Sequence, residues 1–282
     1  MLYMGYAKCS NASGDKTLYK WDPCDYNTQS LNQQQWAQEL IQKLALKGNE
    51  RILDIGCGDG KVTAQIARHV PSGSVMGIDS AESMIFFARE KFPEVEYSNL
   101  AFQNMDAKEL NFNEEFDIVF SNASLHWVID HLPVLKGIKK SLKPSGKILL
   151  QMGGTGNAAS IFEVLDKLLK DERWSRFFKD FSFPYGFYSP EEYKVWLDEA
   201  GLEIKRIELI PKDMKLKGKE GLSGFIRSTW LPYTLRIPED LRTKFIDSVT
   251  EKYLEEHNID KKGIVHIGMI RLEVEAENCM NR

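Results

Sequence analysis

A turn with three glycines at alternate positions follows the first strongly apolar run of the chain. The letters read Asp54-x-Gly56-x-Gly58-x-Gly60, after "RILDI" and before the helical pattern "KVTAQIARHV". Glycine loses the most backbone freedom on folding, so this density of glycine indicates a ligand that approaches the main chain closely. Strand, glycine turn and helix in this order bind ligands at the carboxyl end of a parallel sheet. The segment therefore predicts a cofactor site.

The spacing of the glycines discriminates among cofactors. A nicotinamide or flavin dinucleotide expects GxGxxG, and the position of its third glycine is occupied by Lys61. A nicotinamide oxidoreductase is therefore the least favoured alternative. A phosphate-binding P-loop is excluded, because no Gly-Lys-Ser/Thr follows four spacer residues.

The elements that must position this turn alternate between strands and helices. The runs "RILDI", "SVMGID", "FDIVFSN" and "KILLQM" suit buried parallel strands, and "VEYSNLAFQN" is a weaker candidate. Helical patterns separate them, and "LEIKRIELI" and "GIVHIGMIRLEVEAE" predict two further strands. Ser189, Pro190 and two acids predict a helix start, and Gly201 predicts its end. The fold class predicted is α/β: a doubly wound, mostly parallel sheet of about seven strands with helices on both faces.

Composition narrows the class of protein further. The 282 residues are 43% hydrophobic and 28% charged, as in ordinary globular proteins, and the formal net charge is -4. This charge argues against nucleic acid as a partner. No apolar run reaches the length of a membrane span or a secretory signal. Four scattered cysteines predict ordinary thiols, no metal site and a cytoplasmic protein.

Several motifs together resemble the class I S-adenosylmethionine-dependent methyltransferases, which have a Rossmann-like fold. The stretch "LDIGCGDG" is similar to their motif I, and Asp79 ends the second strand where the family has an acid for the ribose hydroxyls. Asp106 matches the acid that often reaches the adenine amino group, with Ala107 beside it. "FDIVFSNASLHWV" and "LKPSGKILLQM" resemble the fourth- and fifth-strand segments.

The resemblance implies S-adenosylmethionine as the cofactor and a set of residues that bind it. These residues are Tyr26, Gln33, Asp54, Gly56, Cys57, Gly58, Asp79, Ser80, Met84, Asp106, Ala107 and Asn122. Cys57 is expected to contribute its backbone amide rather than a reactive thiol.

The fourth-strand segment indicates the kind of methyl acceptor. Enzymes that methylate base amines typically show [DN]PP[YF] there, whereas this chain has "SNAS" at 121–124, so a nucleobase is disfavoured. "SNASLHWVIDHLPVL" instead resembles trans-aconitate methyltransferases and relatives that esterify small carboxylic acids. The resemblance implies residues 1–34 as an N-terminal cofactor cap carrying Trp21, and residues 35–155 as the cofactor-binding core. Residues 156–282 would complete the sheet and carry a helical substrate lid at about 216–262.

Methyl transfer to a carboxylate requires positioning rather than a dedicated acid or base. The acid is already ionised at pH 7, and the sulfonium leaves as a neutral thioether. The residues predicted to act at the transfer site are His126, Trp127 and Arg227. Arg236 and Arg271 are the other candidates for holding a carboxylate, and Arg227 is preferred because it precedes Trp230.

A loop rich in aromatic residues follows the helix predicted after Met152. The loop residues Phe183, Tyr185, Phe187 and Tyr188 either line an apolar pocket or pack an insert, and packing is expected for most of them.

An amine or hydroxyl acceptor is an alternative to the carboxylate, and a hydroxyl would need His126 or His131 as a general base. A binding module without catalysis is another, and it would leave no room for an acceptor beside the methyl group. The sequence leaves the oligomeric state open.

Overall fold

The computed structural model describes residues 31–279, with side chains from Trp36 onward. Seven strands form one sheet: β1 Arg51–Ile55, β2 Ser74–Asp79, β3 Leu100–Asn104, β4 Phe116–Asn122, β5 Leu142–Gly153, β6 Glu203–Lys217 and β7 Ile264–Glu277. The strand order is β3-β2-β1-β4-β5-β7-β6. β7 is antiparallel to both of its neighbours, and the remaining pairs are parallel. The predicted fold class is therefore confirmed.

Helices follow or separate the strands as the sequence patterns predict. Their bounds are α1 Leu31–Lys43, α2 Lys61–His69, α3 Glu82–Lys91, α4 Leu132–Ser141, α5 Ala159–Leu169, α6 Glu172–Ser175, α7 Pro190–Ala200, α8 Gly218–Thr229, α9 Leu231–Thr234 and α10 Glu239–Glu256. Short 3₁₀ turns occupy Ala107–Glu109 and Leu125–Trp127. Nowhere between residues 31 and 279 is there a helix of the length and apolarity that a membrane crossing requires.

The two faces of the sheet are covered by different helices, as a doubly wound fold requires. Ile52 and Leu53 are adjacent in β1, both are fully buried, and they belong to separate apolar clusters. Ile52 packs in the cluster that contains Ile66 of α2, whereas Leu53 packs in the cluster that contains Ile138 of α4. Because successive strand residues point to opposite faces, a continuous apolar run is what a strand buried on both sides needs.

The start and end of α7 show how local sequence sets helix bounds. Ser189 accepts a hydrogen bond from the Glu192 amide, and the Glu192 side chain accepts one from the Ser189 amide. Pro190 fits the first turn because its position needs no amide donor. Gly201 ends the helix at a φ of 73°, a left-handed conformation that favours glycine.

The last two strands extend past the rest of the sheet. β7 pairs with β5 only as far as Arg271, which lies opposite Gly153, while β6 pairs with β7 as far as Ile264. Strand β6 is also longer than predicted and continues to Lys217. The extension packs with α5 and α8–α10 in a third apolar cluster. Helical residues therefore lie next to the carboxyl ends of the parallel strands, where the predicted site falls.

Candidate active site

A cavity of about 1100 Å³ opens at the carboxyl ends of β1, β2 and β4. One end is lined by the glycine turn and Asp79, and the other by the aromatic loop after α6 and by α8 and α9. His126 and Trp127, in the 3₁₀ turn after β4, also line it. This volume is at the upper end of the range for small-molecule and cofactor sites, so two ligands can lie side by side.

The three glycines of the turn serve different purposes. All have positive φ, at 73° for Gly56, 53° for Gly58 and 77° for Gly60. A Cβ at Gly56 would lie 2.0 Å from the Ser124 hydroxyl, and one at Gly60 would lie 2.8 Å from the Phe102 ring. A Cβ at Gly58 would meet no atom within 4 Å, and Gly58 lines the cavity. Gly56 also lines the cavity, but of the three glycines only Gly58 has a Cβ position that is open space.

Asp79 is held at the edge of the cavity by two backbone amides. The Gly58 amide donates to its Oδ2 at 3.0 Å, and the Ala81 amide donates to its Oδ1 at 2.9 Å. Both bonds are to a charged acceptor, so they fix the carboxylate strongly. Ser80 and Met84, which were also predicted to bind the cofactor, line the cavity as well.

Asp54 and Cys57 lie beneath the turn and do not line the cavity. Asp54 is buried, accepts a hydrogen bond from the Thr63 hydroxyl at 2.7 Å, and burial raises its pKa to about 7. Its contact supports the turn from below. The prediction that the Cys57 amide faces the cofactor is wrong, because that amide donates to the Ile78 carbonyl at 2.9 Å. Burial also raises the pKa of the Cys57 thiol, so an inert thiol is expected.

Asp106 and Ala107 form the wall beyond Asp79. Asp106 is half-buried and accepts a hydrogen bond from the Lys108 amide at 2.9 Å. Asn104 joins this wall to β2 by donating to the Asp79 carbonyl at 2.9 Å. The predicted residues at the ends of β2 and β3 therefore share one end of the cavity.

The loop after β4 is tied to the glycine turn. Ser121 and Ser124 both donate to the Ile55 carbonyl, at 2.8 and 3.0 Å. Ala123 has a φ of 55°, an uncommon conformation for a side chain with a Cβ. Its amide donates to the Gln151 carbonyl at 2.7 Å. These bonds fix the segment that contains Asn122, which lines the cavity.

Three hydrogen-bond donors surround Gly153, at the end of β5. The Gly153 amide donates to His126 Nδ1 at 3.4 Å, which leaves the proton of a neutral ring on Nε2. Asn157 Oδ1 accepts from the Ile270 amide at 3.2 Å, which leaves its NH₂ group as donor. That nitrogen would lie 2.9 Å from a Cβ at Gly153. Arg271 lies directly opposite Gly153 on β7, and all three side chains line the cavity.

Burial and charge keep His126 neutral. The ring is 8% exposed, and burial together with the positive charge of Arg271 lowers its pKa to about 3. Arg271 is also buried, with its guanidinium 4.9 Å from the centre of the Trp36 ring. A neutral histidine beside a buried arginine is suited to bind an anion and poorly suited to accept a proton.

Arg227 does not belong to this group, contrary to the prediction that it positions the substrate. It is exposed, and Phe225 and Thr229 are the residues of α8 that line the cavity. The preference rested on its nearness in sequence to Trp230, but Trp230 is buried and lies just beyond the end of α8, whereas Arg227 is exposed. Arg236 does line the cavity, exposed at its mouth with its guanidinium 5.3 Å from the Phe181 ring.

The aromatic loop lines the cavity more than was expected. Phe183, Tyr185 and Phe187 all face it, and the Tyr185 and Phe187 rings stack 5.2 Å apart. Packing was predicted for most of the four, and it is found as well: Tyr185 belongs to the third apolar cluster, Phe187 packs against it, and the Tyr188 hydroxyl donates to the Ile129 carbonyl. Trp127 packs edge-on to Tyr185 at 5.0 Å.

Three predicted residues near the N-terminus, and two residues that were not predicted, complete the comparison of prediction and structure. Tyr26 and Trp21 lie outside the described residues, and Gln33 lies in α1 at a position whose side chain is not described. Sequence reasoning missed Asn157 and Trp36. Asn157 follows a predicted strand end, "QMGGTGN", where polar residues of a parallel sheet often face the site, so that signal was available. No comparable signal pointed to Trp36.

The residues at the cavity fit S-adenosylmethionine. The turn leaves open space at Gly58, a fixed carboxylate stands beside it at Asp79, and an aromatic side chain follows at Trp127. Carboxylates suit ribose hydroxyls, and an aromatic face suits a sulfonium. A Rossmann-like sheet with this turn defines a class I methyltransferase.

Comparison with known proteins agrees with this class. Residues 46–201 match the family model described as "Methyltransferase domain", and the chain belongs to this family. It is 29% identical to the trans-aconitate 2-methyltransferase of Deinococcus radiodurans, over 80% of this chain and 87% of that protein. It is 29% identical to an uncharacterized methyltransferase of Schizosaccharomyces pombe, over 68% of this chain and 74% of that protein.

A solved structure has the same fold. It is the phosphoethanolamine N-methyltransferase 2 of Haemonchus contortus in complex with S-adenosyl-L-methionine, with a TM-score of 0.59 and 19% identity. The match covers 92% of this chain and 57% of that one. The predictions of family, enzyme class and cofactor are confirmed: the chain is a methyltransferase, and S-adenosylmethionine is its cofactor.

Proposed function

We propose that this enzyme methylates a carboxylate oxygen of a small-molecule acid. The observation that carries the proposal is the group of donors around Gly153, formed by His126, Asn157 and Arg271. Backbone amides already occupy the acceptor atoms of His126 and Asn157. The polar atoms left for a ligand are therefore donors, and a carboxylate is the acceptor group that needs donors only.

The cofactor would lie against the opposite end of the same cavity. Asp79 would accept hydrogen bonds from the ribose hydroxyls, Asp106 would accept one from the adenine amino group, and Ser80 and Met84 would cover the nucleoside. Gly58 would lie beneath the ribose and the methionine portion. Asn122, held by the loop after β4, would lie between nucleoside and acceptor. In this arrangement His126 and Trp127 would lie next to the methyl group and the acceptor.

The transfer itself needs no proton to move. When bound, S-adenosylmethionine would supply an electrophilic methyl group: the carboxylate oxygen would form the bond to its carbon as the carbon–sulfur bond breaks and the electron pair stays on sulfur. Arg271 would hold the carboxylate through its planar fork, and His126 would donate from Nε2 to one oxygen. Holding the oxygen in line with the methyl group supplies an effective molarity of roughly 10⁵ to 10⁸ M.

A hydroxyl acceptor is less well supported, because it requires a base. His126 has a pKa near 3, far too low to remove a hydroxyl proton at pH 7. His131 does not line the cavity; its Nδ1 lies 2.8 Å from the Tyr193 hydroxyl, and its Nε2 lies 2.8 Å from the Val128 carbonyl oxygen. Among residues 36–279, the side chains beyond His126 line open space of the same cavity, which supports an enzyme over a binding module.

Incubation with methyl-labelled S-adenosylmethionine and a panel of small acids, amines and alcohols tests the proposal. Label recovered in a base-labile ester supports it, and label found only on amines or alcohols contradicts it. The relationship to a trans-aconitate 2-methyltransferase makes carboxylic acids the first compounds to test.

Variants of Arg271 test the residue assigned to the carboxylate. Arg271→Lys keeps the charge but loses the fork, so we expect KM for the acid to rise about tenfold with the affinity for S-adenosylmethionine unchanged. Arg271→Leu should raise KM for the acid further. The exposed Arg68 provides the control, as Arg68→Lys. A loss of activity on Arg227→Lys that Arg271→Lys does not produce would refute the assignment.

A further inference from the structure

The half of the cavity beyond His126 has aromatic and aliphatic walls. Rings from the loop after α6 and from the start of α9 interlock there: Trp230 packs edge-on to Tyr185 at 5.7 Å, and Phe183 lies 5.7 Å from Phe187. Pro232 and Leu235 continue the same wall. Since the rings hold one another, this surface is preformed and favours an apolar ligand body.

The charges around the cavity limit how many carboxylates an acceptor can carry. Among the described residues that line it, four are acidic, namely Asp79, Asp106, Glu109 and Asp180. Two are arginines, and of these Arg271 is buried and Arg236 lies exposed at the mouth. One buried arginine can compensate for one carboxylate. A second and third carboxylate would lose water among apolar rings, which is strongly unfavourable.

We propose that the acceptor is a monocarboxylic acid with an apolar body, either aromatic or alkyl, rather than a polycarboxylic acid. This inference rests on the proposed function. The carboxylate would lie at Arg271, His126 and Asn157, and the apolar body would lie along the aromatic walls towards Phe183 and Leu235. Phe183, which is 50% exposed at the mouth of the cavity, would cover the outer end of the acceptor's apolar body.

Four probe compounds separate this inference from the proposed function. They are 4-phenylbutyrate, octanoate, propane-1,2,3-tricarboxylate and 4-phenylbutylamine, each tested for turnover and for binding in the presence of S-adenosylhomocysteine. We expect kcat/KM or binding affinity at least tenfold higher for the two monoacids than for the tricarboxylate. A tricarboxylate that is methylated or bound as well as the monoacids overturns the inference and leaves carboxylate methylation standing. Label on the amine alone, or no binding of any acid, overturns both.

A pair of phenylalanine variants tests the apolar wall directly. Phe183 and Phe86 are both 50% exposed, but only Phe183 lines the cavity. Phe183→Ser should lower kcat/KM for 4-phenylbutyrate about tenfold, because part of a phenyl contact is lost, and should lower the value for propionate by much less. Phe86→Ser should change neither. An equal loss for both acids, or no loss for 4-phenylbutyrate, overturns the inference.

Discussion

Replacement of Gly58 by alanine isolates the space that the turn keeps open for the cofactor. The variant retains the amide that donates to Asp79, and its new methyl group meets no protein atom within 4 Å. Gly263, in the loop before β7, provides a matched control: its φ is 76°, and a Cβ there also meets nothing within 4 Å. The two substitutions therefore differ mainly in whether the methyl group projects into the site.

The expected magnitudes follow from this geometry. A left-handed conformation costs an alanine about 1–2 kcal/mol, and the stiffer unfolded chain offsets about 0.4–1 kcal/mol of that. Both variants should therefore lose about 1 kcal/mol in the free energy of unfolding. Only Gly58→Ala places a methyl group against the bound nucleoside, and we expect its dissociation constant for S-adenosylmethionine to rise about 10- to 100-fold, which is about 1.4–2.8 kcal/mol.

Two measurements on each variant check this reasoning. Urea denaturation gives the free energy of unfolding, and titration calorimetry with S-adenosylmethionine or S-adenosylhomocysteine gives the affinity. Equal affinities for wild type and Gly58→Ala would refute the assignment of the turn to the cofactor. A stability loss much larger at Gly58 than at Gly263 would show instead that the position is needed for folding.

Three further predictions concern the same site. Asp79→Asn should weaken cofactor binding about 10- to 100-fold by calorimetry, while Glu82→Gln on the next helix should not, and equal affinities for the two would contradict the role of Asp79. Gly56→Ala should lose about 3 kcal/mol of unfolding free energy in urea because its Cβ falls 2.0 Å from the Ser124 hydroxyl, and adding Ser124→Gly should restore part of it. For His126 the folded pKa is about 3 and the unfolded pKa about 6.5, so the stability it contributes is present above pH 6.5 and is lost as the pH falls. Between pH 7 and 5 the wild type should lose about 2 kcal/mol more than His126→Asn, and equal losses would count against a neutral buried ring.

Local sequence was sufficient to predict the core of the fold and several residues that line the cavity next to the glycine turn. Apolar runs with helices between them specify strands buried on both faces, and the glycine turn and the acid at Asp79 are adjacent to those strands in the chain. Gly56, Gly58, Asp79 and Asp106 could be found because each follows a strand whose carboxyl end must reach the same edge of the sheet.

The acceptor end of the site depended on tertiary structure. Arg271 was one arginine among three candidates until the antiparallel register of β7 brought it opposite Gly153. Arg227 was excluded by the orientation of α8, and the Cys57 amide by a hydrogen bond to β2, which lies about twenty residues further along the chain. Strand register and helix rotation arise from long-range packing that no short motif encodes. Sequence alone therefore determined the enzyme class and its cofactor, and only the folded chain decided which side chains line the proposed acceptor end of the cavity.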